Sequence, residues 1–105
     1  MRRYTSLRRS VDFSRLRQRG RRVTSAAITV YHADLQAREP LSVVGITVGK
    51  PVGKAVTRNR VRRRIAAILQ SALDGRRIRL LVVARPGAAT VSFNRLRSEL
   101  HRALL

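Results

Sequence analysis

One stretch governs what this chain can become. It reads Thr57-Arg58-Asn59-Arg60-Val61-Arg62-Arg63-Arg64-Ile65, with apolar residues continuing at Ile68, Leu69 and Ala72. At about 100° per residue, a helix places Val61, Ile65, Ile68, Leu69 and Ala72 on one side. Asn59, Arg60, Arg63 and Arg64 fall opposite. Arg58 and Arg62 sit at the margin, where their stems can pack while the guanidinium stays wet. The spacing predicts a helix that begins between Gly53 and Thr57, runs to about Leu73 and ends at Gly75. Its apolar stripe needs a partner surface, so a core must form around it. No acid occurs between Glu39 and Asp74 to balance the opposite ridge. Solvated helix faces usually mix signs, because like charges four apart repel. An uncompensated ridge fits phosphate instead, and Lys50 and Lys54 on the preceding loop extend it.

The whole chain carries the same bias. Lys and Arg number 24 against 5 Asp and Glu, a formal net charge of +19. Self-repulsion at that charge works against a compact fold, and a polyanionic partner is the simplest reason to carry it. A length of 105 residues suffices for one domain with a modest core. The expectation is a single nucleic-acid-binding domain over 1–105, with residues 1–9 as a flexible basic arm. The absence of cysteine removes disulfide scaffolds, thiolate metal sites and Cys nucleophiles. Apolar runs such as Leu80 to Ala84 are far shorter than a membrane span. The basic start has no apolar stretch after it, so a secretory signal is not expected.

Around the basic helix the chain alternates in character. Ser10 reads as an N-cap with Asp12 in the first turn, and Phe13 and Leu16 share one side of a short helix that Gly20 stops. Residues 26–33 read as a strand with Ile28 and Val30 on one face and Thr29 and Tyr31 on the other. The stretch 35–40 reads as a hairpin loop, and Leu41 to Val48 as a second strand. Arg79 to Ala84 forms a third. Ser92 can cap a last helix whose stripe is Phe93, Leu96, Leu100 and Leu104. The order α-β-β-α-β-α gives an α+β fold, a two-layer α/β sandwich with a small central sheet. Thr29 and Tyr31 on one strand face suggest that one sheet face stays open.

Protein-borne catalysis is not expected. Asp12, Asp34, Glu39, Asp74 and Glu99 are scattered, and His32 and His101 stand alone, so no catalytic or metal-binding set is assigned. Gly45-x-x-x-Gly49-Lys50 falls one residue short of a phosphate-binding P-loop, and Pro51 replaces the needed hydroxyl.

The segments Val44-Gly45-Ile46-Thr47-Val48-Gly49-Lys50 and Gly53-Lys54-Ala55-Val56-Thr57-Arg58-Asn59-Arg60-Val61-Arg62-Arg63 resemble the signature of the bacterial ribonuclease P protein subunit. Asp12-Phe13, Val30-Tyr31 and Ala84-Arg85-Pro86 extend the resemblance over most of the chain. It implies an α/β sandwich with a left-handed β-α-β crossover, against the general handedness rule. It implies a cytoplasmic, non-catalytic subunit of a ribonucleoprotein endoribonuclease. The partners would be a catalytic RNA and precursor tRNA, with no membrane and no DNA. The RNA would carry the chemistry and hold most of the Mg²⁺, the protein binding none alone.

The resemblance also assigns roles. Lys50, Lys54, Arg58, Asn59, Arg60, Arg62, Arg63 and Arg64 would bind the catalytic RNA. The 5′ leader of the precursor would lie between the first helix and the open sheet face, at Phe13, Arg17, Thr29 and Tyr31. Aromatic platforms and arginine suit a single strand, at roughly 1–3 kcal/mol per stacked base. Phe13 reads equally as core, whereas Tyr31 alternates away from Ile28 and Val30; Phe93 reads as core. The chain departs from the family pattern at Arg17, Pro51 and Ala66, where an aromatic and two basic residues are common. Size and charge alone would also suit a structural RNA-binding protein, such as a small ribosomal protein. A duplex-DNA reader of helix-turn-helix type would need a packed helix just before the basic one.

Overall fold

The computed structural model describes residues 4–35, 39 and 41–105. The described chain runs β1 (Tyr4–Ser6), α1 (Ser10–Arg19), β2 (Arg21–Thr24), β3 (Ile28–Ala33), β4 (Ser42–Thr47), α2 (Ala55–Ala72), β5 (Arg79–Ala84) and α3 (Phe93–Ala103), with short 3₁₀ turns at Lys50–Val52 and Pro86–Ala89. The strands form one mixed sheet in the order β1-β4-β5-β3-β2. β4 runs parallel to both β1 and β5, while β3 is antiparallel to β5 and β2 to β3. α2 is the crossover between the adjacent parallel strands β4 and β5.

The three expected strands are all present, but two further ones flank them. The basic arm expected over 1–9 is a correction: Tyr4–Ser6 pairs with Ser42–Val44, and Tyr4 and Leu7 are buried. Residues 1–3 lie outside the described residues. Backbone pairing to β4, together with burial of those two side chains, outweighs the charge of Arg8 and Arg9. The expected hairpin loop at 35–40 is also corrected. It joins strands that are not neighbours, because β5 inserts between β3 and β4; residues 36–38 and 40 lie outside the described residues.

Alternation along the strands divides the apolar residues between two faces. One face carries Ile28, Val30, Val44, Leu80 and Val82, which pack with Val61, Ile65, Ile68 and Leu69 of α2 and Leu96 and Leu100 of α3. Truncating one of these, as in Leu69→Ala, removes about 2–5 kcal/mol. The other face holds a smaller cluster of Leu7, Leu16, Val43 and Leu81, against which Phe13 and Tyr31 pack. α1 lies on this side, so the second face is covered at one end.

Local punctuation explains the helix ends. α1 begins at Ser10 itself, with Arg9 as N-cap and no side-chain cap bond, which corrects the assignment of the cap to Ser10. Ser92 does cap α3, its hydroxyl accepting from Arg95 N–H at 3.1 Å. Gly75 follows α2 at φ +74°, a left-handed conformation that glycine adopts without penalty. Phe93 opens α3 at 38% exposure, so it is not core; the buried side of that helix is Leu96, Glu99, Leu100 and Ala103.

Candidate nucleic-acid interface

α2 buries Val61, Ile65, Ile68 and Leu69, the stripe that the periodicity marked. Its arginines therefore turn outward, but not uniformly. Arg60 and Arg64 lean toward the chain after β5: Arg60 Nη2 donates to the carbonyl of Ala89 at 3.1 Å and Arg64 Nη1 to that of Val91 at 3.4 Å. Arg62 Nη1 donates to Asn59 Oδ1 at 3.3 Å. Arg58 is half-buried, and its Nε is buried without a hydrogen-bond partner. Arg63, Lys50 and Lys54 are exposed. These neutral acceptors orient the guanidinium groups without cancelling their charge. The ion pairs seen among the described residues, Arg79 with Asp12 and Glu39 and Arg95 with Glu99, leave α2 untouched.

The start of α2 adds to the same field. Lys54 is its N-cap and makes no side-chain cap bond, and the first turn holds no acid. The first N–H groups thus lack the carboxylate or hydroxyl that usually answers them. The positive end of the helix dipole coincides with Lys54 and follows Lys50, an arrangement suited to anions.

The second sheet face offers a different surface. Register aligns two rows of side chains across four strands. Gly45, Leu81, Tyr31 and Arg22 form one, and Thr47, Val83, Thr29 and Thr24 the next. α1 lies over the first row at its β4 end. A Cβ on Gly45 would stand 2.8 Å from the Phe13 ring, so only glycine lets that ring settle on the sheet. Phe13 and Tyr31 join one apolar cluster while both stay half-exposed. Arg17 shares a groove with Phe13, Arg8, Ser10 and Ser14. A second groove of about 260 Å³ passes Phe13 and the end of β1 to reach Arg62 and Ala66 on α2. It connects the flank of the second sheet face to the flank of the basic helix.

Thr29 is placed differently from its expected role. It is 8% exposed, and its hydroxyl lies 3.4 Å from that of Thr24. The exposed hydroxyl of the pair is Thr24. Neither Thr24 nor Arg22 was foreseen near this surface, because β2 was not foreseen. The only sequence hint was the β-branched pair Val23-Thr24 after Gly20.

Asp12 and Glu99 are engaged within the fold. Asp12 faces Arg79 at 3.6 Å and ties α1 to β5. The Glu99 carboxylate is buried, which pushes its pKa up. The Ser25 hydroxyl, the Ala27 N–H at 2.9 Å and Arg95 at 3.1 Å outweigh that and hold it below the ordinary range. His32 is pushed down by burial and by Arg21 and Arg76, which outweigh Asp34. Among the described residues, no three His, Asp or Glu side chains converge in a metal-binding group. No described helix is long and apolar enough to cross a membrane.

The family model for ribonuclease P matches residues 1–105. The ribonuclease P protein component of Acidothermus cellulolyticus is 43% identical over 100 residues, covering 93% of this chain and 83% of that one. The Streptococcus pyogenes serotype M5 protein of the same name is 31% identical over 101 residues, covering 93% and 82%. Among solved structures, the Staphylococcus aureus RNase P protein superposes with a TM-score of 0.84 at 24% identity, over 94% of this chain and 91% of that one. The Thermotoga maritima RNase P protein gives 0.79 at 24% identity, with 94% of each chain covered. An acid-free arginine helix packed on this mixed sheet, matched along the full chain, places the protein in the bacterial ribonuclease P protein family.

Proposed function

We propose that this chain is the protein subunit of ribonuclease P. It docks on the catalytic RNA through the outward side of α2 and holds the 5′ leader of precursor tRNA over the exposed part of the second sheet face. The observation that carries this reading is α2 itself: arginines at 58, 60, 62, 63 and 64, outside the ion pairs seen among the described residues, beside Lys50 and Lys54. Such a surface can neutralise phosphate repulsion between two polyanions that must come together. Each phosphate contact releases counterions, so binding falls steeply with salt.

The protein contributes binding and the RNA contributes chemistry. Asp12 and Glu99 are engaged by Arg79 and by Ser25, Ala27 and Arg95. This donor set does not suit a protein-held Mg²⁺, so the reading assigns the metal to RNA. Phe13 and Tyr31 supply aromatic surface for unstacked leader bases, and Arg17 supplies charge beside them.

The test is leader removal by the catalytic RNA at low Mg²⁺, with and without this protein. The reading predicts faster cleavage with it; an unchanged rate would contradict it. Tyr31→Ala is expected to reduce the preference for precursor over mature tRNA, measured as a ratio of dissociation constants. Equal loss for both would remove Tyr31 from the leader surface.

A further inference from the structure

We propose that the leader path continues past Tyr31 onto β2, where Arg22 contacts a phosphate and the 5′-distal nucleotides leave the protein. The inference rests on the assignment of the second sheet face to the leader.

Register carries it. Arg22 stands directly opposite Tyr31, so both side chains share this face. All four β2 residues are exposed, and β2 is the terminal strand of the sheet. No ion pair reaches the Arg22 guanidinium among the described residues. Thr24 continues the same strand as the exposed partner of the buried Thr29 hydroxyl. An aromatic ring with a free cation beside it matches one base and its neighbouring phosphate.

Direction follows from the strand order. α2 follows β4, so the proposed docking of the catalytic RNA on α2 puts the start of the path at the β4 end of the sheet. From β4 the rows step through β5 and β3 to β2, three strand spacings or about 14 Å. A leader that starts near α2 therefore meets Phe13, then Tyr31, then Arg22. At the opposite edge β1 presents Thr5 to this face. Arginine on an edge strand also discourages strand-to-strand association. That role predicts no dependence on leader length.

The experiment measures affinity of the reconstituted holoenzyme for precursor tRNAs whose leaders grow one nucleotide at a time. The expected result is that Tyr31→Ala acts from shorter leaders onward. Arg22→Ala then acts only at greater lengths, weakening binding several-fold and lowering the salt slope by about one. Arg22→Lys should retain most of the effect, and Arg22→Glu should exaggerate the loss at the same lengths. An Arg22→Ala effect that is absent, or equal at every length, overturns the inference while Tyr31 still shows leader dependence. Loss of leader dependence at Tyr31 itself would instead overturn the underlying leader assignment. Thermal melts of each free variant separate these outcomes from misfolding.

Discussion

α2 and α3 pack on the same sheet face and both expose arginines, yet they treat charge in opposite ways. α3 is finished internally. Ser92 caps its start, and Glu99 is buried between Arg95 and the Ser25–Ala27 turn. α2 has neither a side-chain cap bond nor an acid; Arg60 and Arg64 meet backbone carbonyls and Arg63 is exposed. The first helix closes the fold, and the second leaves a field open. The polar groups that stabilise the fold and those proposed to bind RNA thus lie on neighbouring helices, and they should respond to different substitutions.

Among changes to polar and charged groups, breaking α3 should give the largest loss of stability. Glu99→Ala leaves the buried Ala27 N–H without its carboxylate and is expected to cost about 2–3 kcal/mol, read from urea unfolding. The salt slope for RNA binding should stay the same. Ser92→Ala should cost about 1 kcal/mol, with the same silence in binding. Giving α2 what α3 has should do the reverse. Lys54→Asp supplies a cap and a favourable dipole partner, so stability should rise by roughly 0.5–1 kcal/mol. RNA affinity should fall, as a titration at fixed salt would show. A variant that lost or gained both together would break the comparison.

Acid should expose the difference more gently. Glu99 sits below its ordinary pKa, so its stabilisation is present above about 4.5 and disappears as pH falls through the folded value. His32 is also pushed down, so its protonation opposes folding; stability is full above 6.5 and declines below it. Urea melts across this range should therefore lose stability toward acid. Glu99→Gln should flatten the lowest part of the profile and His32→Ala the upper part.

The legible parts of the molecule were those in which one period or one chemistry acted alone. α2 could be read because its stripe is unbroken and its ridge holds no acid. Tyr31 could be placed because β3 alternates cleanly. β2 could not be read, since Arg21–Thr24 is short, fully exposed and stabilised by pairing with β3 rather than by its own side chains. β1 was hidden for a similar reason: Tyr4 and Leu7 are buried by contacts distant in sequence. Sequence adjacency suggested that β3 and β4 pair, whereas the crossover through α2 brings β5 between them. The second sheet face suffered most from this, because Arg22 and Thr24 reach it only through β2.

The most direct measurement is the salt dependence of binding to the catalytic RNA, taken for one arginine removed from each helix. Arg63→Ala on α2 should lower the slope by about one ion relative to the unaltered protein, and Arg97→Ala on α3 should leave it in place. Equal slopes for both variants, or a loss confined to Arg97→Ala, would contradict the assignment of α2 as the RNA-docking face.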